Sequence, residues 1–297
     1  MRYEIEGNKF IPKDVFDNGQ CFRWKENEDE SYSGVFHKIS LNVKKDSDKI
    51  IFEGKTDLNQ SDFENEIRNY FDLDRDYIDL TKKLSSIDEN LKIATEYGKG
   101  LRLLNQDLFE TIISYITSAN NNIPRIKGIV SRMCEKYGEK LDDDNYTFPT
   151  IEKLSTASMQ DLRDLGLGFR DKYIFDTTKY IKENPDFLPS LYKMDTEECR
   201  KALESLNGVG PKVADCILLF SDLKRLDVFP IDVWVRRVMN ELYFHKDESK
   251  LSKKEIKNLA EQKYGELQGL AQQYLFYWRR ESEANAHNLW EKPIRQK

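Results

Sequence analysis

The chain has 297 residues, 39% apolar and 34% charged, a globular composition with room for one large core or two to three domains. No run approaches the roughly 18 apolar residues of a membrane span, and the start MRYEIEGNKF lacks the apolar centre of a signal peptide, so an intracellular protein is expected. The net charge of −6 argues against a protein that coats nucleic acid, yet residues 1–80 hold 12 Lys+Arg against 19 Asp+Glu and the remainder 35 against 34, which leaves space for a basic face on the later part.

Residues 1–55 read as strands. FIPKDVF, CFRWKE, YSGVFHK, ISLNVKK and KIIFEG are short, aromatic or β-branched, and separated by turn-rich stretches. They predict an antiparallel sheet. Within them Asn18-Gly19-Gln20-Cys21-Phe22-Arg23-Trp24 marks a turn in which Gly19 permits a positive φ or a close backbone approach. Composition places a junction between Lys49 and Gln60, and the division expected is a sheet unit over 1–80 and a helical unit over 81–297.

From Ser61 the periodicity is helical: DFENEIRNYF, YIDLTKKL, ENLKIATEYG, LFETIISYITSA, IPRIKGIVSRMCEKYG, MQDLRDLGLG and KYIFDTTKYIKE succeed one another. Between two of these helices, Ser118 to Arg125 carries three asparagines suited to cap the second of the pair. Gly166-Leu167-Gly168-Phe169-Arg170 reads as a helix end and turn.

The stretch LESLNGVGPKVADCILLFSDLKRLDVFPIDVWVRR, Leu203 to Arg237, organises the rest. Two helical patterns flank the Gly208-Val209-Gly210 turn, and Pro211 suits a first helical position because its missing N–H would be unpaired there. A helix N-terminus carries roughly half a positive charge, and behind a glycine turn it suits a phosphate. Lys212 stands in that field beside apolar Val213 and Ala214. Both surroundings disfavour the ammonium, so its pKa is expected to fall. An amine of that kind can act as a nucleophile and form a Schiff base. Asp232, after Pro230, is placed either to assist such an amine or simply to cap the helix beginning at Val233. VWVRRVMNELYF and EIKNLAEQKYGELQGLAQQYLFYWRR complete the helical set, with a tail from about Glu291. Cys21, Cys134, Cys199 and Cys216 are scattered without a CxxC pair. Reduced thiols are expected, and neither a zinc site nor an iron–sulfur cluster has suitable spacing.

LNGVGPKVADC followed by VFPIDV resembles the helix-hairpin-helix, Gly/Pro-rich loop and catalytic aspartate of the DNA base-excision glycosylases. Within that superfamily the chain is most similar to the 8-oxoguanine DNA glycosylases, from NGQCFRW near residue 20 to AQQYLF near residue 275. The resemblance implies an α+β fold: an N-terminal antiparallel twisted sheet domain followed by a mostly helical region in two subdomains with the site between them. It implies a monomer that acts on double-stranded DNA containing 8-oxoguanine opposite cytosine. No cofactor is implied beyond a monovalent cation at the backbone carbonyls of Glu204, Leu206 and Val209.

The resemblance also assigns roles. Lys212 becomes the nucleophile and Asp232 its electrostatic partner. The Gly19 carbonyl would accept from N7–H of 8-oxoguanine and repel the bare N7 of guanine. Gln272 would read the Watson–Crick edge, with Phe22, Cys216 and Phe276 around the base. Asn120 would fill the gap left by the flipped nucleotide, Arg125 and Arg170 would read the opposite cytosine, and Phe169, where the family has tyrosine, would wedge the duplex. Gly208 and Gly210 would approach a phosphate. Trp234 stands where animal relatives carry a phosphate-contacting histidine, which puts that contact in doubt. Two other readings are a glycosylase for an alkylated purine, disfavoured by Lys212, and a helix-hairpin-helix module that only binds DNA.

Overall fold

A computed structural model of the chain describes residues 1–247 and 250–290, with side chains through Glu283. The expected tail from Glu291 lies outside the described residues.

The N-terminal part is a five-stranded sheet of β1 (Arg2–Glu6), β2 (Trp24–Glu26), β3 (Tyr32–Phe36), β4 (Ile39–Asp46) and β5 (Lys49–Lys55), ordered β1-β5-β4-β3-β2 and antiparallel throughout. The two-residue periodicity of a strand turns alternate residues of β4 and β5 to one face. Ile39, Leu41 and Val43 pack there with Ile50 and Phe52, and Val43 lies opposite Phe52. Phe10, Phe16, Trp24, Tyr32, Phe36, Phe63, Tyr70 and Phe71 fill this face. Phe16 stacks on Trp24 with centroids 4.0 Å apart, and Phe36 on Tyr70 at 4.1 Å.

The strand readings need three corrections. FIPKDVF is no strand: it holds helix α1 (Pro12–Phe16), opened by proline at its first turn. The edge strand β1, which pairs with β5, lies within the stretch read as strands but ahead of the first segment named there. The proposed junction at Lys49 to Gln60 is largely β5 itself, hydrogen-bonded on both sides and followed at once by α2 (Gln60–Tyr70).

The remaining helices are α3 (Tyr77–Ser85), α4 (Glu89–Tyr97), α5 (Leu108–Ser118), α6 (Ile123–Tyr137), α7 (Ile151–Leu154), α8 (Met159–Leu162), α9 (Arg170–Glu183), α10 (Phe187–Leu191), α11 (Thr196–Glu204), α12 (Pro211–Phe220), α13 (Val233–Met239), α14 (Lys253–Tyr264) and α15 (Gln268–Trp290). Most start on a side-chain cap: Asn59, Asp76, Asp88, Asp107, Asn122, Asp195, Asp232 and Ser252 each accept a hydrogen bond from a first-turn N–H, of which the asparagine run and Asp232 were read from the sequence. The long final pattern is broken at Gly265, whose φ of 54° ends α14 before α15 begins. α5 and α12 are apolar almost all round and form the centre of the helical core, with Tyr115 stacked on Phe220 at 5.6 Å.

The cores of the two parts divide between Leu73 and Tyr77, except that Phe22 joins the helical core and Leu104 returns to the sheet core. We propose residues 1–80 and 81–297 as two folding units joined along this seam. Segment 99–107 runs along it. Gln106 Nε2 donates to the carbonyls of Gln20 and Phe220, at 2.9 Å each, so one side chain ties the Asn18–Trp24 turn to the end of α12.

Candidate active site

α12 leaves the hairpin with Gly210 as a cap that has no side chain to offer, so its first N–H groups face outward. Lys212 stands in that first turn, half-buried, its Nζ 5.5 Å from the centroid of the Tyr115 ring. Cys216 lies one turn further on the same face and is buried. Asp232 begins α13 and accepts the Val235 N–H at 2.7 Å. The capping role and a place at the site therefore coexist in one side chain.

Lys212, Cys216 and Asp232 line a single cavity of about 450 Å3 together with Gly19, Phe22, Asn120, Gln272 and Phe276. That volume lies within the order of 300–1,000 Å3 usual for small-molecule sites. The lining residues come from the Asn18–Trp24 turn and from α5, α12, α13 and α15. The Gln272 side chain is 5% exposed, and its Oε1 is buried with no hydrogen-bond partner. A buried acceptor left unpaired costs about 1–3 kcal/mol, which a bound donor recovers.

Gly19 adopts φ = 88°, a region unfavourable for a side-chain-bearing residue. A Cβ there would meet Arg280 Nη1 at 3.1 Å and Phe276 Cε1 at 3.4 Å. Its neighbours hold it in place. Asn18 and Gln20 are fully buried. The Asn18 side chain donates to the Asp14 carbonyl at 2.8 Å and accepts the Gln20 N–H at 3.1 Å. Gln20 Nε2 donates to the carbonyls of Val15 and Arg102, and Gln20 Oε1 accepts the Leu104 N–H at 2.8 Å. Gln273 Nε2 reaches the Asn18 carbonyl at 2.7 Å. Tyr115 Oη donates to the Gln20 carbonyl at 3.1 Å while its ring lies below Lys212. The sequence reading missed these supports, although amide side chains beside a glycine turn are the signal that could have found them.

The charge state of Lys212 differs from expectation. Burial presses its pKa down, but the charges of Cys216 and Asp232 outweigh that effect and hold the ammonium above its ordinary value. Burial pushes the Cys216 thiol up to about 11, against the pull of Lys212. The helix field and the apolar neighbours were visible in the sequence, and the proximity of the carboxylate was not.

Of the residues expected at the opposite strand, Asn120 lines the cavity. Asn120 is exposed, with φ = 50°, where α5 ends. Asn122, not Asn120, caps α6 through the Arg125 N–H at 3.0 Å. Arg125 is exposed, and its Nη2 donates to the Gly166 carbonyl at 3.0 Å. Phe169 is 57% exposed. Arg170 departs from this pattern. It is buried, and its guanidinium donates to the carbonyls of Ala119 at 2.6 Å, Asn120 at 2.7 Å and Leu167 at 3.1 Å. It therefore braces the backbone of Asn120, and its guanidinium lies 4.3 Å from the centroid of the Phe169 ring.

The hairpin is anchored on α9: Thr177 Oγ1 donates to the Asn207 carbonyl at 2.9 Å, and Asn207 Nδ2 donates to Asp176 at 2.6 Å. The Leu206 carbonyl accepts the Val209 N–H at 3.1 Å and keeps a second lone pair. Its two glycines serve different ends. Gly208 has φ = 86°, and a Cβ would strike the Tyr173 side chain at 2.7 Å, whereas a Cβ on Gly210 meets nothing within 4 Å. Gly208→Ala should thus cost about 1–3 kcal/mol of stability. Gly210→Ala should leave thermal melting nearly unchanged yet weaken duplex binding several-fold, because the open space beside it is where a phosphate would approach. Melting curves and a salt-controlled binding titration check both. Trp234 lines the cavity with Arg237 5.9 Å from its ring, and its indole Nε1 is buried without a partner.

Among the described residues, no group of three His, Cys, Asp or Glu side chains is placed to hold a metal ion, and the four cysteines are free and buried. No described helix is long and apolar enough to cross a membrane.

Family comparisons agree with this arrangement over most of the chain. Residues 2–112 match the model of the 8-oxoguanine DNA glycosylase N-terminal domain, and residues 113–266 that of the HhH-GPD superfamily of base excision DNA repair proteins. An N-glycosylase/DNA lyase of Arabidopsis thaliana is 33% identical over 276 residues, covering 88% of this chain and 75% of the relative. A probable N-glycosylase/DNA lyase of Methanothermobacter thermautotrophicus is 33% identical over 76% of this chain and 78% of its own length. The Clostridium acetobutylicum 8-oxoguanine glycosylase/lyase, solved with double-stranded DNA containing cytosine opposite 8-oxoguanine, superposes with a TM-score of 0.87 at 39% identity, over 95% of this chain and 98% of that one. With both parts of the fold matched in order, the chain belongs to the 8-oxoguanine DNA glycosylase family of the helix-hairpin-helix base-excision repair superfamily.

Proposed function

We propose that this protein excises 8-oxoguanine from duplex DNA and then cleaves the strand at the abasic site by β-elimination through a Schiff base on Lys212. The observation that carries this reading is the shared cavity. The Lys212 amine at a helix mouth, the Asp232 carboxylate and an unpaired Gln272 acceptor line it together with Cys216 and Phe276.

A base inside the stack cannot be reached, so the nucleotide is flipped into the cavity at a cost of a few kcal/mol. Gln272 Oε1 accepts from the N–H groups of the guanine Watson–Crick edge. The Gly19 carbonyl accepts from N7–H, which guanine itself lacks. Phe22, Cys216 and Phe276 enclose the ring. Asn120 and Phe169 hold the opened duplex, and Arg125 supplies donors for the cytosine left behind. Arg170 joins it only by giving up its backbone contacts. The hairpin grips backbone phosphate through N–H groups at Gly208 and Gly210, with a monovalent cation held by the carbonyls of Glu204, Leu206 and Val209.

Lys212 gives up its proton to water, and its Nζ attacks C1′ as the glycosidic bond breaks and the base departs with the bond's electron pair. Asp232 stabilises the positive charge that develops on the sugar. The C1′–O4′ bond then opens, O4′ leaving with the bond's electron pair and taking up a proton, to give an iminium that acidifies C2′–H; loss of that proton expels the 3′ phosphate. A module that only binds DNA has no use for this cavity, and a glycosylase that activates water has no use for Lys212.

Cleavage of four duplexes, each with 8-oxoguanine opposite a different base, tests the reading. We expect cutting opposite cytosine and a borohydride-trapped covalent adduct with that duplex. Intact strands in all four, with no trapped band, would exclude it.

A further inference from the structure

Gly19 and Phe276 come from opposite ends of the chain, yet the base slot depends on their separation. Two side chains of α15 cross that gap. Gln273 holds the Asn18 carbonyl from inside the protein. The other is Arg280, one turn beyond Phe276 and outside the set of residues drawn from the sequence. Its Nη2 donates to the Asp17 carbonyl. Its guanidinium lies 5.2 Å from the centroid of the Phe276 ring and 6.0 Å from that of Tyr277. Its Nη1 is the atom nearest to the place a Cβ of Gly19 would take, at 3.1 Å.

The Arg280 side chain is only 22% exposed, and Nη1 is buried with no hydrogen-bond partner. Its nearby charge is Glu281, 3.1 Å from Nη2. A guanidinium that leaves one donor unpaired to stay at this place is held there by its other contacts. Those are the ion pair with Glu281, a charge-assisted bond to a backbone carbonyl and a cation–π contact. The last two fix the turn bearing Gly19 relative to the ring that would face the base. Neither touches Lys212 or Asp232.

We propose that Arg280 is a positioning residue for lesion recognition, a bridge from α15 to the Asp17–Gly19 turn that sets the spacing between the Gly19 backbone and the Phe276 ring. The inference rests on the 8-oxoguanine reading of the cavity. It makes a separable claim: seating the damaged base needs Arg280, and cutting a site that has already lost its base does not.

The test uses the full chain and two substrates, a duplex with 8-oxoguanine opposite cytosine and the same duplex with a preformed abasic site. Arg280→Ala should lower single-turnover excision of 8-oxoguanine by about tenfold to a hundredfold, the scale of loss from an ångström-sized misplacement. Abasic-site cleavage should stay within about twofold, because the chemical step is untouched. Arg280→Lys, which keeps a donor for the Asp17 carbonyl and a cation over the ring, should recover most of the excision rate. If the alanine variant melts below the assay temperature, Arg280→Met, which keeps the apolar stem, is read in its place. Unchanged excision, or an equal loss on both substrates, overturns the proposal. Wild-type protein that does not excise 8-oxoguanine overturns the functional reading instead.

Discussion

Lys212→Gln should abolish the borohydride-trapped adduct and lower 8-oxoguanine excision by about 10³–10⁶-fold, the range expected when a covalent nucleophile is removed. Glutamine keeps most of the stem and cannot form a Schiff base. The fold should tolerate it, since Lys212 is half-buried in a first turn and makes no direct ion pair with Asp232 among the described residues. Melting within about 0.5 kcal/mol of wild type is the control. The pH dependence carries a further sign. Only the unprotonated amine attacks, and Cys216 and Asp232 hold the ammonium above its usual pKa. Trapping should therefore speed up as pH rises through the alkaline range, limited by the fraction of free amine. A pH-independent trapping rate, or an adduct with Lys212→Gln, would show that another group is the nucleophile.

Asp232 permits a cleaner separation of structure from chemistry. Its carboxylate caps α13 through the Val235 N–H and also faces the cavity. Asparagine is as good a cap as aspartate, whereas alanine is not. Asp232→Asn should thus leave stability nearly unchanged, and Asp232→Ala should lose about 1 kcal/mol. Both should lose about 10²–10³-fold in excision, because both lack the charge that stabilises the sugar cation. The asparagine variant has a second signature. Removing the negative charge removes one of the two groups, beside Cys216, that raise the Lys212 pKa, so its trapping profile should move part of the way to lower pH. A variant that loses activity only in proportion to its loss of stability would reduce Asp232 to a cap. Denaturant melts, single-turnover rates and the two pH profiles distinguish these outcomes.

The two substitutions also mark how far the linear chain could be read. A nucleophile next to a Gly/Pro hairpin is a local pattern: turn, proline, lysine and periodicity lie within a dozen residues. The caps are local too, and so are the helices they open. Where a segment's conformation depended on a distant partner, the reading failed. Arg2–Glu6 becomes a strand because β5 pairs with it, and Pro12–Phe16 becomes a helix whose Phe16 packs on Trp24. The assigned cavity residues lie hundreds of positions apart, and resemblance rather than pattern joined them. Nothing in the spacing indicated that Arg170 would brace the Asn120 backbone.

By itself the sequence determined the helix mouth, the amine within it, the capping carboxylate and the order of sheet and helices, since each arises from interactions between residues a few positions apart. The tertiary structure alone decided the charge state of Lys212, the Gln20–Gln106–Gln273 scaffold under the Gly19 turn and the place of Arg280 behind it. Electrostatic shifts, and hydrogen bonds that satisfy buried groups, depend on distance through space, and that distance is fixed only when the sheet and the helices close on one another.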